Sequence, residues 1–184
     1  MGKIIILLTF LSLSLAKLNA QPSKPGNFSF GIEGALPVKE ETQIFDAGIG
    51  GSFEYQHQII GVLYGGLIGG FESFSTIKKL ISVNVPANYN YVPIKAELKC
   101  YPVSGLFIMV SAGEVYYTRH GGGHAFDASS GLGWSFKKGF ELGFRYEAWK
   151  QTPQNHIPGQ IGQTGPFKSE STFGQIAIRL AERF

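Results

Sequence analysis

Tyr89-Asn90-Tyr91-Val92-Pro93-Ile94-Lys95-Ala96-Glu97-Leu98-Lys99-Cys100-Tyr101 is the stretch on which the fold of this chain turns. Along it Val92, Ile94, Ala96, Leu98 and Cys100 alternate with Pro93, Lys95, Glu97, Lys99 and Tyr101. A period of two puts these sets on opposite faces of a β-strand. One face is oily, and the other carries three charges that need water or partners.

Seven further stretches bounded by turn residues read as strands, giving eight in all. Asn27 to Val38 sets Phe28, Phe30, Ile32 and Leu36 against Ser29, Gly31, Glu33 and Ala35. Ile44 to Gln56 sets Phe45, Ala47, Ile49, Phe53 and Tyr55 against Asp46, Gly48, Gly50, Ser52 and Glu54. Ala125 to Lys137, Gly139 to Lys150 and Ser171 to Phe184 alternate in the same way. Two stretches leave their facing open. Ile59 to Phe74 is interrupted by glycines, and in Leu106 to Thr118 the set Leu106, Ile108, Val110 and Ala112 competes with Phe107, Met109 and Val115. Glu114 favours turning the first of these sets inward.

The composition agrees with an all-β protein. Glycine contributes 25 of 184 residues, about twice the usual ~7%, aromatic residues make up 14%, and charged residues only 16%. Neither a disordered tail nor a basic nucleic-acid binder fits that balance, so no nucleic-acid partner is expected. Residues 1–20 read as a cleaved signal peptide, with a basic start at Lys3, an apolar run from Ile4 to Ala16 and small or polar residues before Gln21. That run is shorter than the ~20 residues of a spanning helix. Its removal takes Lys3 and Lys17 and lowers the formal charge from +3 to about +1. Residues 21–26 form a short leader and 27–184 the single folded domain. Cys100 is the only cysteine, so the fold holds without an internal disulfide; it reads as a small apolar strand residue.

Connection lengths alternate along the chain. Residues 39–43, 75–88, 119–124 and 151–170 are long connections, whereas those near 57–58, 102–105 and 138 are short. Long and short loops therefore lie at opposite ends of an up-and-down antiparallel meander, and eight strands suffice to close it into a barrel without free edges. Face assignment decides what surrounds that barrel. One face collects Glu33, Asp46, Glu54, Glu97, Asp127, Glu141 and Glu147 with Lys95, Lys99, Arg145, Arg179 and Arg183 among small residues. The other carries Phe28, Phe30, Phe45, Phe53, Phe126, Trp134, Phe136, Phe140, Phe144 and Phe184, too much volume for the interior of eight strands. The small, charged face therefore fits a narrow lumen of paired ions, and the oily face meets lipid, making a transmembrane β-barrel. A secreted soluble barrel holding an apolar ligand would need the reverse.

The alternating strands, the loop pattern, the export segment and the final stretch Ile176-Ala177-Ile178-Arg179-Leu180-Ala181-Glu182-Arg183-Phe184 together resemble the small eight-stranded outer-membrane β-barrel proteins of Gram-negative bacteria. The resemblance implies outer-membrane lipid as surroundings and recognition of Ile176, Ile178, Leu180 and Phe184 by the barrel-assembly machinery, with Glu182 standing where a hydrophobic residue is usual. It also implies that the short turns face the periplasm and the long loops the exterior, with 75–88 and 151–170 as candidates for binding a surface ligand. Tyr55, Tyr64, Tyr89, Tyr91, Tyr101, Tyr116, Tyr117, Tyr146, Trp134 and Trp149 lie toward strand ends and are expected to form interfacial girdles.

Chemistry-bearing motifs are sparse. His120 and His124 bracket three glycines, but two imidazoles do not make a specific metal site, and the segment reads as an exposed turn. Some barrels of this size modify lipids, and His120, His156, Ser171 and Glu147 are the residues such chemistry would use, yet no motif places them together. The reading is a non-enzymatic barrel without cofactor or metal, with a structural or surface-binding role and a lumen filled by an ion-pair network.

Overall fold

A computed structural model describes residues 26–38, 45–78, 87–118, 124–137, 139–151 and 172–184. Eight strands, β1 (Gly26–Val38), β2 (Phe45–Ile60), β3 (Leu63–Thr76), β4 (Asn88–Cys100), β5 (Leu106–Tyr117), β6 (His124–Ser135), β7 (Phe140–Gln151) and β8 (Thr172–Arg183), pair antiparallel with their sequence neighbours. β8 pairs with β1, so the sheet is a closed up-and-down barrel. The ladder continues to Phe184, whose N–H donates to the Phe28 carbonyl at 2.9 Å. Closure satisfies the backbone groups that an open sheet would expose. Following Cα partners from Phe28 through Tyr55, Leu67, Ala96, Ala112, Ala128, Ala148 and Gly174 returns to Val38 on β1, a stagger of ten residues. The strands are therefore tilted, and the interior is narrow.

The outer face is the oily one. Phe28, Phe30, Phe53, Phe126, Trp134, Phe136, Phe140, Phe144 and Phe184 all point outward, between 43% and 63% exposed. A soluble barrel with an apolar lumen is excluded by that placement. This wall would bury its side chains only against hydrocarbon. The fold is that of a transmembrane β-barrel.

Glycine sits with positive φ in each of the three short turns: Gly61 at 52°, Gly105 at 83° and Gly139 at 91°. These turns need the left-handed backbone that a side chain disfavours. The first of them lies at Gly61-Val62, not at 57–58, because β2 continues to Ile60 and the Gln58 side-chain amide donates to the Gly61 carbonyl at 2.6 Å.

Three facings differ from, or complete, the sequence reading. Between Phe45 and Gly48 the β2 ladder shifts register. The extra residue inverts the alternation, so Phe45 is buried inside and Asp46 is exposed, outside the lumenal set. β5 turns Phe107, Met109, Ser111 and Val115 inward and Ile108, Val110 and Ala112 outward, against the orientation that Glu114 suggested. Glu114 instead lies partly exposed on the outer wall, where the Tyr116 hydroxyl donates to it at 2.6 Å and His124 Nδ1 stands 3.5 Å away. β3, unassigned by pattern, turns Tyr64, Ile68, Glu72 and Phe74 inward.

Candidate functional site

The lumen is built in three layers. At the long-loop end Phe45, Phe74, Tyr89, Tyr91, Trp149 and Phe173 converge, all buried. Trp149 stacks on Phe173 at 4.5 Å between ring centroids and lies 4.9 Å from Tyr91, while Phe45 meets Tyr89 edge-on at 5.3 Å. Such contacts pack the rings tightly. Gly48 makes this possible: a Cβ there would stand 2.6 Å from the Phe74 ring.

At the short-turn end Tyr64, Tyr101, Phe107 and Met109 form a second apolar layer. The Tyr101 ring lies 5.2 Å from Tyr64 and 5.7 Å from Phe107. The Lys99 ammonium stands 4.9 Å over the Phe107 ring, joining this layer to the ions above it.

Between the two lies the ion-pair network. Lys99 Nζ reaches Glu54 at 2.6 Å, Glu141 at 3.3 Å and Glu97 at 3.4 Å. Arg179 pairs with Glu54 at 3.0 Å and donates to the hydroxyls of Ser52 and Ser29, each at 2.8 Å. Arg183 reaches Glu141 at 3.0 Å. Higher in the lumen the Arg145 guanidinium bridges Glu33 and Glu147, and Lys95 Nζ pairs with Glu147 at 2.5 Å and Asp127 at 3.0 Å. The Gln175 amide donates to both Glu147 and Glu72. The strands hold these groups because each presents every second residue to a narrow lumen, so carboxylates of β1, β2, β3, β4, β6 and β7 meet cations of β4, β7 and β8. Beside Glu54, Lys99, Glu141 and Arg179 lies a cavity of about 10 Å³, room for about one water.

Glu33, Glu54, Lys95, Glu97, Lys99, Glu141, Arg145, Glu147, Arg179 and Arg183 lie together in the lumen, with Asp127 among them and Asp46 outside. Glu72, missing from that set, joins it 3.6 Å from Arg145. The aromatic girdle needs correction. Tyr64, Tyr89, Tyr91, Tyr101, Tyr117 and Trp149 are buried inside, and only Tyr55, Tyr116, Tyr146 and Trp134 lie on the outer wall. Ile176, Ile178, Leu180 and Phe184 share the outward face of β8. His120, His156 and Ser171 fall outside the described residues, as do 1–25, 79–86 and 152–171. Among the described residues no three His, Cys, Asp or Glu side chains are placed to hold a metal ion.

No family model matches the sequence, and no curated protein does. Solved structures do match. A de novo designed transmembrane β-barrel superposes with a TM-score of 0.51 at 12% identity, over 88% of this chain and 98% of that one. The crystal structure of Ail, the attachment invasion locus protein of Yersinia pestis, gives 0.51 at 13% identity, over 86% and 97%. The backbone structure of the same outer membrane protein in a phospholipid bilayer nanodisc gives 0.50 at 15%, over 86% and 99%. At such identities the likeness is one of fold: this chain has the architecture of the small eight-stranded outer-membrane barrels.

Proposed function

We propose that this protein is an integral outer-membrane barrel that serves the envelope as a non-enzymatic scaffold and presents its long loops to a surface ligand. The observation that carries the reading is the filled lumen. Aromatic side chains pack toward both ends and ion pairs fill the middle, a filling that leaves the outer wall and the loops to act. In this reading residues 1–20 direct export, the short turns face the periplasm, segments 75–88 and 151–170 face outward, and Ile176, Ile178, Leu180 and Phe184 present the assembly signal. Lipid-modifying chemistry is disfavoured by Glu147, the carboxylate such a site would use, which is fully buried between Arg145 and Lys95.

The test compares unheated with boiled envelope protein in SDS electrophoresis and records current across planar bilayers carrying the purified chain. The expected result is a heat-dependent mobility shift with no unitary conductance. Open-channel currents would overturn the filled-lumen reading. A lipid A profile that changes when His156 or His120 is replaced by alanine would overturn the non-enzymatic one.

A further inference from the structure

The outer wall is oily over most of its height, and Glu114 interrupts it. On β5 the outward residues toward the short turn are Ile108, Val110 and Ala112, and the ladder neighbours of Glu114 on either side are Ile94 and Phe126, both exposed. A carboxylate that meets acyl chains is costly and calls for a partner. Part of that need is met from the long-loop end. The Tyr116 hydroxyl donates to Glu114 Oε2 at 2.6 Å, and His124 Nδ1 stands 3.5 Å from the same oxygen, its ring lying along that of Tyr116. Glu114 therefore turns toward the rim of the barrel, where the wall leaves the hydrocarbon. Both contacts fall on Oε2, so Oε1 can accept from outside, and the side chain is 45% exposed.

The same ladder row supplies the opposite charge. Glu114 pairs with Phe126 and Phe126 with Lys150, so Lys150 stands two strand spacings from Glu114, roughly 10 Å, with the Phe126 ring between them. Lys150 faces outward as they do. A negative and a positive group set apart on a wall that faces lipid match a ligand that carries both charges itself. A primary ammonium suits Glu114, because it donates to Oε1 and lies against the face of Phe126, and a phosphate suits Lys150. We propose, on the footing of the outer-membrane placement above, that Glu114, Phe126 and Lys150 hold the head group of a zwitterionic phospholipid with a primary amine, drawn from the surrounding bilayer. A quaternary amine has no N–H for Oε1, and an anionic lipid would set its surplus charge against Glu114. A metal ion lacks a third ligand among the described residues.

Native mass spectrometry of the folded full chain in detergent tests this, with phosphatidylethanolamine, phosphatidylcholine and phosphatidylglycerol of matched acyl chains added in equal amounts. Phosphatidylethanolamine is expected to stay bound at several times the occupancy of the other two. The choline lipid lacks the N–H, and the glycerol lipid lacks the positive end. In Glu114→Leu the ethanolamine lipid is expected to fall to the level of the choline lipid, and in Lys150→Gln both fall together. Neither side chain enters the lumen, so both variants are expected to keep the heat-dependent mobility shift. Equal occupancy of the three lipids overturns the proposal, as does a preference for phosphatidylglycerol, the mark of a plain basic patch, or an ethanolamine preference that survives Glu114→Leu. Loss of the mobility shift in the natural protein would overturn the membrane-barrel reading itself, whereas a shift without lipid preference overturns only the head-group site.

Discussion

Arg145 shows what a single residue does in this lumen. Its guanidinium is the only described cation between Glu33 and Glu147, both buried, and it also approaches Glu72. Removing it leaves Glu147 with Lys95 alone and Glu33 with only the more distant Arg179, so buried carboxylates outnumber the cations that face them. Arg145→Met is therefore expected to destabilise the barrel by about 3 to 5 kcal/mol, read as a lower urea midpoint for loss of the heat-modifiable form, and adding Glu33→Gln should recover part of the loss. Gly48 illustrates the steric counterpart. A valine there meets the Phe74 ring and should cost about 1 to 3 kcal/mol by overpacking, measured in the same unfolding assay. Most of the network was legible because charge and alternation coincide: Lys95, Glu97 and Lys99 share a parity that no other secondary structure explains. The same parity runs through Tyr89 and Tyr91, and Trp149 shares one with Arg145 and Glu147, so their inward placement was available to the eye. The rule that aromatics gather at strand ends competed with it. Within a narrow barrel parity wins, since it fixes the face while position along the strand fixes only depth.

At the scale of the strand, the elements that resisted reading are those where alternation breaks for a physical reason. β3 carries glycines on both faces, so no apolar set identifies its orientation, and Glu72 went unplaced with it. β5 is apolar on both faces because its lumenal side supplies Phe107 and Met109 to the lower layer. β2 contains an irregularity that hydropathy cannot show, one extra residue that swaps Phe45 and Asp46. This last point is testable by cysteine scanning in the Cys100→Ser background. Asp46→Cys is expected to react with a water-soluble maleimide in the folded barrel, whereas Phe45→Cys reacts only after unfolding; equal reactivity of the two would place the register shift elsewhere. β8 makes a separate prediction. Phe184→Ser leaves the lumenal residues of that strand untouched, so its effect should fall on the yield of heat-modifiable protein in the envelope and not on the urea midpoint of the fraction that assembles.

For the molecule as a whole, stability comes from three sources that respond differently to conditions: the closed backbone ladder, lipid-facing side chains, and buried ion pairs. Surface pairs weaken as salt rises, but pairs at 0% to 7% side-chain exposure are shielded from mobile ions. Raising salt to roughly 1 M, where the Debye length is about 3 Å, is therefore expected to leave the urea midpoint nearly unchanged. A marked fall would show that water and ions enter the lumen. Stability of this kind suits a chain with a single cysteine, which no internal disulfide can staple.

The pairing of Phe28 with Phe184 carries a consequence for how the chain comes to be made. β1 emerges first and β8 last, and until the two meet, the sheet has two bare margins, each able to recruit any other half-built sheet nearby. The contact that abolishes both margins is also the one farthest apart along the chain, so it is slow to form by search alone. Closure thus works as an inspection of completeness: a chain stopped anywhere short of its eighth strand cannot pass it, and stays adhesive until it is chaperoned or destroyed.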